Sequence, residues 1–346
     1  MRTINLEIEK VNHKMIDMIK NNQAFQSPVG LNGMMGLCMY FYQMSRKMEN
    51  SQYEDTADKI CDFVSATINK SISLHIENGL TGIGLGLIKL IKEEYVEGNI
   101  NEILEEIDVL VYKTIFFDED KIIDLQLTTE LLYYCCVRYK EQKVGSEGEF
   151  IFRNLIFRML NSYDFLSEEN FNEPSSFSLH FHLPFFLRVM GLIVNLEPFR
   201  QKVKKIAEDM TNQIISKIPV LHAHRLYMIW SMIELTKNIE LPAWEKHLRL
   251  LKNEIDVHKI IEHEILPDNI FFIDGFTGIL YLLTEYNKMV SEIDKISFDV
   301  SVFFNKISDS FTWRKLLFDE KFLTDNMGMN GFCGTALVLI NNLKNE

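Results

Sequence analysis

The stretch NGLTGIGLGLIKLI, from Asn78 to Ile91, reads as a buried helix interrupted by Gly79, Gly82, Gly84 and Gly86. A glycine inside a helix costs about 1 kcal/mol relative to alanine, so four of them need a reason. The motif recurs: GMMGLCMYFYQM starts at Gly33, GFTGILYLL at Gly275 and GFCGTALVLI at Gly331. Each copy is Gly-x-x-Gly followed by an apolar run. The first two copies lie about 50 residues apart, as do the last two, which is the mark of a repeat architecture. The interval between the pairs has room for three more units. It holds DLQLTTELLYYCC from Asp124, HFHLPFFLRVMGLIV from His180 and HRLYMIWSMIEL from His224, which keep the apolar run but not the glycines.

Amphipathic stretches separate these runs. In NINEILEEIDVLVYKTI, residues Ile100, Ile103, Leu104, Ile107, Leu110 and Val111 follow the i, i+3, i+4, i+7 spacing of one helix face. SQYEDTADKICDFVSATI, FRQKVKKIAEDMTNQIISKI, WEKHLRLLKNEIDVHKII and EIDKISFDVSVFFNKI behave alike. Each unit is thus expected to be a helix pair, one member buried nearly all round and the other with one wet face. Strand-type alternation is scarce. The expected fold is all-α: one domain over 1–346, a closed α/α toroid of about seven helix pairs in inner and outer rings, with 1–26 as an N-terminal helical segment leading into it. Gly33, Gly36, Gly79, Gly82, Gly275, Gly278, Gly331 and Gly334 are expected where the chain enters the inner helices. There seven helices converge on one narrow rim, and a residue without Cβ permits a tight turn and close backbone approach. An open solenoid is the competing arrangement, but it needs polar caps at both ends, and here the first and last repeats carry strong motifs.

Composition excludes several functions. The chain has 346 residues, 47% of them hydrophobic, enough for a large core. Its 49 acidic and 36 basic residues give a net charge of -13, with no basic run to suggest a nucleic-acid partner. The opening MRTINLEIEK alternates charged and apolar residues and does not read as a signal peptide. No apolar run approaches the roughly 18 residues of a membrane span. Cys38, Cys61, Cys135, Cys136 and Cys333 are scattered and form no CxxC. They read as reduced thiols of a cytoplasmic protein, and an ordinary zinc ribbon is excluded.

With these motifs in place, the sequence resembles the lanthionine synthetase C-like (LanC-like) family. GMMGLC, GLTGIG, GFTGIL and GFCGTA are similar to the Gly-x-x-Gly motifs that open that family's inner helices, over about Gly30 to Leu343. The resemblance implies an α/α toroid of seven helix pairs. It also implies a role in lanthipeptide biosynthesis, in which a cysteine thiol of a precursor peptide adds to a dehydroamino acid to form a thioether. In the family a zinc ion activates the thiol, held by a Cys opening the fifth inner helix and an adjacent Cys-His opening the sixth. This chain departs at all three positions. FIDGFTG places Ile273 and Asp274 where Cys-His stands, and HAHRLYMIW places His224 at the other cysteine. The usual zinc site is expected to be lost.

Other positions carry over. Asp124 matches the family's aspartate before the third unit, and His180 or His182 its histidine before the fourth. As functional groups these three move protons. As ordinary residues Asp124 is a helix N-cap and the histidines belong to a loop near a proline. His222, His224 and Asp274, with His182, have the chemistry of a replacement N/O metal site, or are loop and capping residues. Cys135 and Cys136 read as small buried hydrophobes. The expected partners are a precursor peptide and a dehydratase or other peptide-modifying enzyme. Three functions remain: a thioether-cyclase-like or peptide-binding protein, a metal-free scaffold presenting the peptide to a partner enzyme, or a toroid enzyme on carbohydrate using Asp124 and Asp274 as paired carboxylates.

Overall fold

The computed structural model describes residues 2–21, 28–68, 72–117, 125–162 and 171–343. Among these the structure is helical, with no β-strand. Asp124 lies outside the described residues.

The chain forms two compact units: Met1–Ile122 with Ile270–Phe272 and Ser301–Glu346, and Ile123–Asn269 with Ile273–Val300. The first begins with α1 (Arg2–Lys20), α2 (Met34–Met48), α3 (Ser51–Thr67), α4 (Leu80–Lys92), α5 (Ile100–Ile103) and α6 (Glu105–Phe117). The second holds α7 (Leu125–Lys140), α8 (Glu147–Ser162), α9 (His182–Ile193), α10 (Arg200–Asp209), α11 (Thr211–Ser216), α12 (His222–Asn238), α13 (Pro242–Asn253), α14 (Val257–Lys259) and α15 (Phe276–Met289). The chain then runs through α16 (Val300–Asp309), α17 (Phe311–Phe318), α18 (Glu320–Asp325) and α19 (Phe332–Leu343).

Two kinds of helix alternate, as the periodicity requires. In α19 every residue from Phe332 to Ile340 is buried. α2, α4, α9, α12 and α15 are also mostly buried, and α7 buries half of its residues. Their neighbours bury one stripe each: Tyr53, Thr56, Ala57, Ile60 and Val64 on α3, and Ile107, Val111 and Ile115 on α6. Buried and half-buried helices pack as pairs, α2 on α3, α7 on α8 and α12 on α13. In the first unit the buried helices run α19–α2–α4, so the last repeat lies beside the first. In the second they run α7–α9–α12–α15. Four stretches that read as continuous helices are broken or shortened: at Leu104 between α5 and α6, at Met210 between α10 and α11, over 254–256 between α13 and α14, and in EIDKISFDVSVFFNKI, where α16 starts only at Val300. All five cysteines are free thiols, and all but Cys61 are buried.

The glycine motif has one construction. The first helical N–H reaches back over the lead-in loop to a carbonyl six or seven residues earlier: Met34 to Pro28 at 2.8 Å, Leu80 to Ser73 at 2.8 Å, Phe276 to Asn269 at 3.0 Å and Phe332 to Asn326 at 2.7 Å. The loop therefore lies on its own helix. A Cβ on Gly33 would stand 1.7 Å from the Pro28 carbonyl oxygen, and one on Gly82 1.8 Å from that of Ile76. Gly79 and Gly275 have extended backbones with φ of -138° and -130°, and the φ of Gly33 is -139°, so none of the three is left-handed. At Gly33, Gly36, Gly79, Gly82, Gly331 and Gly334 a Cβ has no room, and a left-handed conformation is not what selects glycine. The rim-crowding expectation is refined accordingly: the nearest obstruction is the chain's own loop, with a neighbouring loop next. Leu31 N–H donates to the Ile76 carbonyl, Asn32 N–H to that of Glu77, and Asn330 N–H to the Asn32 side chain, at 3.2, 2.7 and 3.1 Å.

Candidate functional site

The second unit gathers most of the residues singled out above at the N-terminal ends of its buried helices. His182 opens α9. Its Nε2 is within hydrogen-bond distance of Thr129 Oγ1 on α7, at 3.3 Å, and that hydroxyl also donates to the Leu125 carbonyl. The ring stacks against Phe171 and Phe186 and stays half-buried. His180, two residues earlier, is exposed. The loop between them is pinned by Leu179, whose N–H donates to the Ile273 carbonyl at 2.7 Å and whose carbonyl accepts the Tyr227 hydroxyl at 3.2 Å. That pin sets Asp274 beside His180. Although Asp274 is exposed as a residue, protein packed around its carboxyl pushes its pKa up, and the nearby His180 opposes the shift.

His224 is fully buried and bonded at both nitrogens. Nε2 accepts the Ser178 N–H at 3.1 Å, so Nδ1 carries the proton and donates to Glu173 Oε1 at 2.9 Å. Phe177 and Phe181 flank the ring. Glu173 also accepts the N–H groups of Val220 and Leu221, at 2.7 and 3.1 Å. Glu264, at the end of a π-helical turn over Ile260–Glu264, takes those of His222 and Ala223 at 2.8 and 2.9 Å. Two carboxylates thus satisfy the amides at the start of α12, where the helix dipole favours negative charge. Neither glutamate follows from the sequence, since each lies more than forty residues from the amides it binds. His222 Nδ1 accepts the Asp256 N–H at 3.1 Å.

This geometry tests the donor set for a metal. His224 has no nitrogen lone pair to give, and His222 spends its Nδ1 on a backbone amide. Among the described residues no group of three His, Cys, Asp or Glu side chains is placed to hold an ion. The residues present do not fit the zinc of LanC-like proteins. What the site offers is an exposed imidazole and carboxylate pair, His180 and Asp274, next to half-buried His182. An imidazole donates and accepts protons near neutral pH.

Among the described residues no helix is long and apolar enough to cross a membrane. No protein-family model matches the chain, and no curated protein matches it in sequence.

Proposed function

We propose that this chain is a LanC-like α/α toroid protein of lanthipeptide-type biosynthesis that binds a modified precursor peptide. The observation that carries the reading is the recurrence of one Gly-x-x-Gly helix opening, with its loop folded back on the helix, at four places along a chain of alternating buried and half-buried helices. The packing of α19 on α2 supports closure, since a ring brings its last repeat to its first. The peptide lies across the N-terminal ends of the second unit's buried helices. There His180 and His182 transfer protons as the thiol adds to the dehydroamino acid, and Asp274 holds His180. Addition of a thiol to a dehydroamino acid has a modest intrinsic barrier, so positioning supplies much of the acceleration.

The full engagement of His224 favours a second form of the same reading, a scaffold that presents the peptide to a dehydratase or another modifying enzyme. One assay separates the two. The purified protein is mixed with a dehydrated, cysteine-containing precursor peptide, and binding and free thiol are followed together. Binding with thiol loss above the uncatalysed rate supports a cyclase, and binding without it supports the scaffold. Absence of binding contradicts both.

A further inference from the structure

The half-exposed residues of α9 form a single stripe, His182, Phe185, Arg188 and Leu192, while the rest of that helix is buried. Arg188 is six residues past His182, about 9 Å further along the axis. Around it the other three buried helices of the unit contribute half-exposed residues of the same character: Tyr133 from α7, Trp230 and Glu234 from α12, Tyr281 and Glu285 from α15. The Arg188 guanidinium lies 4.3 Å from the centre of the Trp230 ring, and Tyr281 meets that ring edge-on at 6.3 Å. Buried Tyr227 completes the wall, 6.1 Å from Trp230.

Two donors in this cluster lack acceptors. Arg188 Nη1 and Trp230 Nε1 are both buried and make no hydrogen bond. Unsatisfied buried donors are rare and expensive. The charge of Arg188 is already balanced by Glu234, whose Oε2 is 3.8 Å away, too far for a hydrogen bond. Glu285, beside Tyr281, is itself paired with Lys288 at 2.7 Å and leaves no net charge in the cluster. The missing acceptor is therefore neutral.

We propose that Arg188 and Trp230 form a peptide subsite that binds a backbone amide carbonyl, with the apolar side chain beside it packed against Trp230, Tyr133 and Tyr281. The subsite rests on the peptide-binding reading and deepens it. Its distance from His182 corresponds to about three extended residues, so a peptide reacting at His182 extends its next residues into the subsite.

The test uses the whole protein and N-acetyl-phenylalanine amide, a probe with no thiol and no dehydroamino acid, so its outcome is independent of cyclase activity. Binding is followed by tryptophan fluorescence and saturation-transfer NMR. Trp244 and Trp313 are buried with their N–H groups donated to Thr211 and Glu7, which leaves Trp230 as the responsive ring. The expected result is a saturable change, weakened about ten- to a hundredfold in Arg188→Met. Trp230→Phe keeps a ring and loses the donor, and it weakens NMR-detected binding by a smaller factor. No saturable response, unchanged binding in either correctly folded variant, or tighter binding of the free acid N-acetyl-phenylalanine would overturn the subsite.

Discussion

Buried His224 pairs with half-buried Glu173, its Nδ1–H donated to Oε1 at 2.9 Å and the far nitrogen of the ring accepting the Ser178 amide. The ring is neutral in the fold. Burial lowers its pKa, while the carboxylates of Glu173 and Glu264 oppose the shift. In the unfolded chain the same imidazole titrates near about 6.5. As pH falls through that value the unfolded state takes up the proton and the folded state does not, so stability present above it is lost. Burial lowers His247 as well, and it adds to the slope in the same direction. Thermal melting should drop between about pH 7.5 and about pH 5.5, and less steeply in His224→Gln. At neutral pH that variant should lose about 2 kcal/mol in denaturant unfolding, because the Ser178 amide and Glu173 lose their partner. A slope unchanged by the substitution would contradict the pair.

Glycine selected for space gives a different expectation from glycine selected for conformation. Gly82→Ala places a methyl 1.8 Å from the Ile76 carbonyl oxygen and 3.0 Å from the Leu31 nitrogen, both backbone atoms. It should cost about 3 kcal/mol, the upper range of overpacking. Gly145 has a φ of +79° and nothing within 4 Å of a built Cβ, so Gly145→Ala should cost about 1 kcal/mol. Urea unfolding of the two variants checks the order.

His180 holds down the pKa of Asp274, against the rise that burial imposes. Removing the imidazole in His180→Gln should therefore raise the Asp274 pKa further. Carbon-13 NMR of the aspartate carboxyls across the acid range reads this directly, and an unmoved Asp274 would separate the two residues.

The ring proposed for the seven repeats has a size. A chain of 346 residues folded as one compact body has a radius of gyration of about 20 Å. Small-angle scattering should give that value, whereas repeats stacked in an open arc would give a larger one.

The helical class, the alternation of buried and half-buried helices and the starts of α2, α4, α15 and α19 were legible in the sequence. They rest on periodicity and on local motifs: the stripe Ile60 and Val64, or the run from Gly331, needs no distant partner to be read. The site was legible in outline only. His182 and His180 were both candidates, and the register that makes one a half-buried ring stacked on Phe171 and the other an exposed one is set by Leu179 bonding to Ile273, far along the chain. His224 carried metal-ligand chemistry by type, and only the position of Glu173 and Ser178 reveals that both its nitrogens are spent. Glu173, Glu264, Arg188 and Trp230 carry no motif. The breaks at Leu104, at Met210 and over 254–256, and the late start of α16, were missed because helical spacing of apolar residues runs through all four.

Amide hydrogen exchange with and without a dehydrated, cysteine-containing peptide probes the central proposal most directly. Peptide held across the starts of the second unit's buried helices should slow exchange in the loop over 173–182, in 273–275 and in the first turn of α12. Binding with protection confined to other parts of the chain, or no protection at saturating peptide, would contradict it.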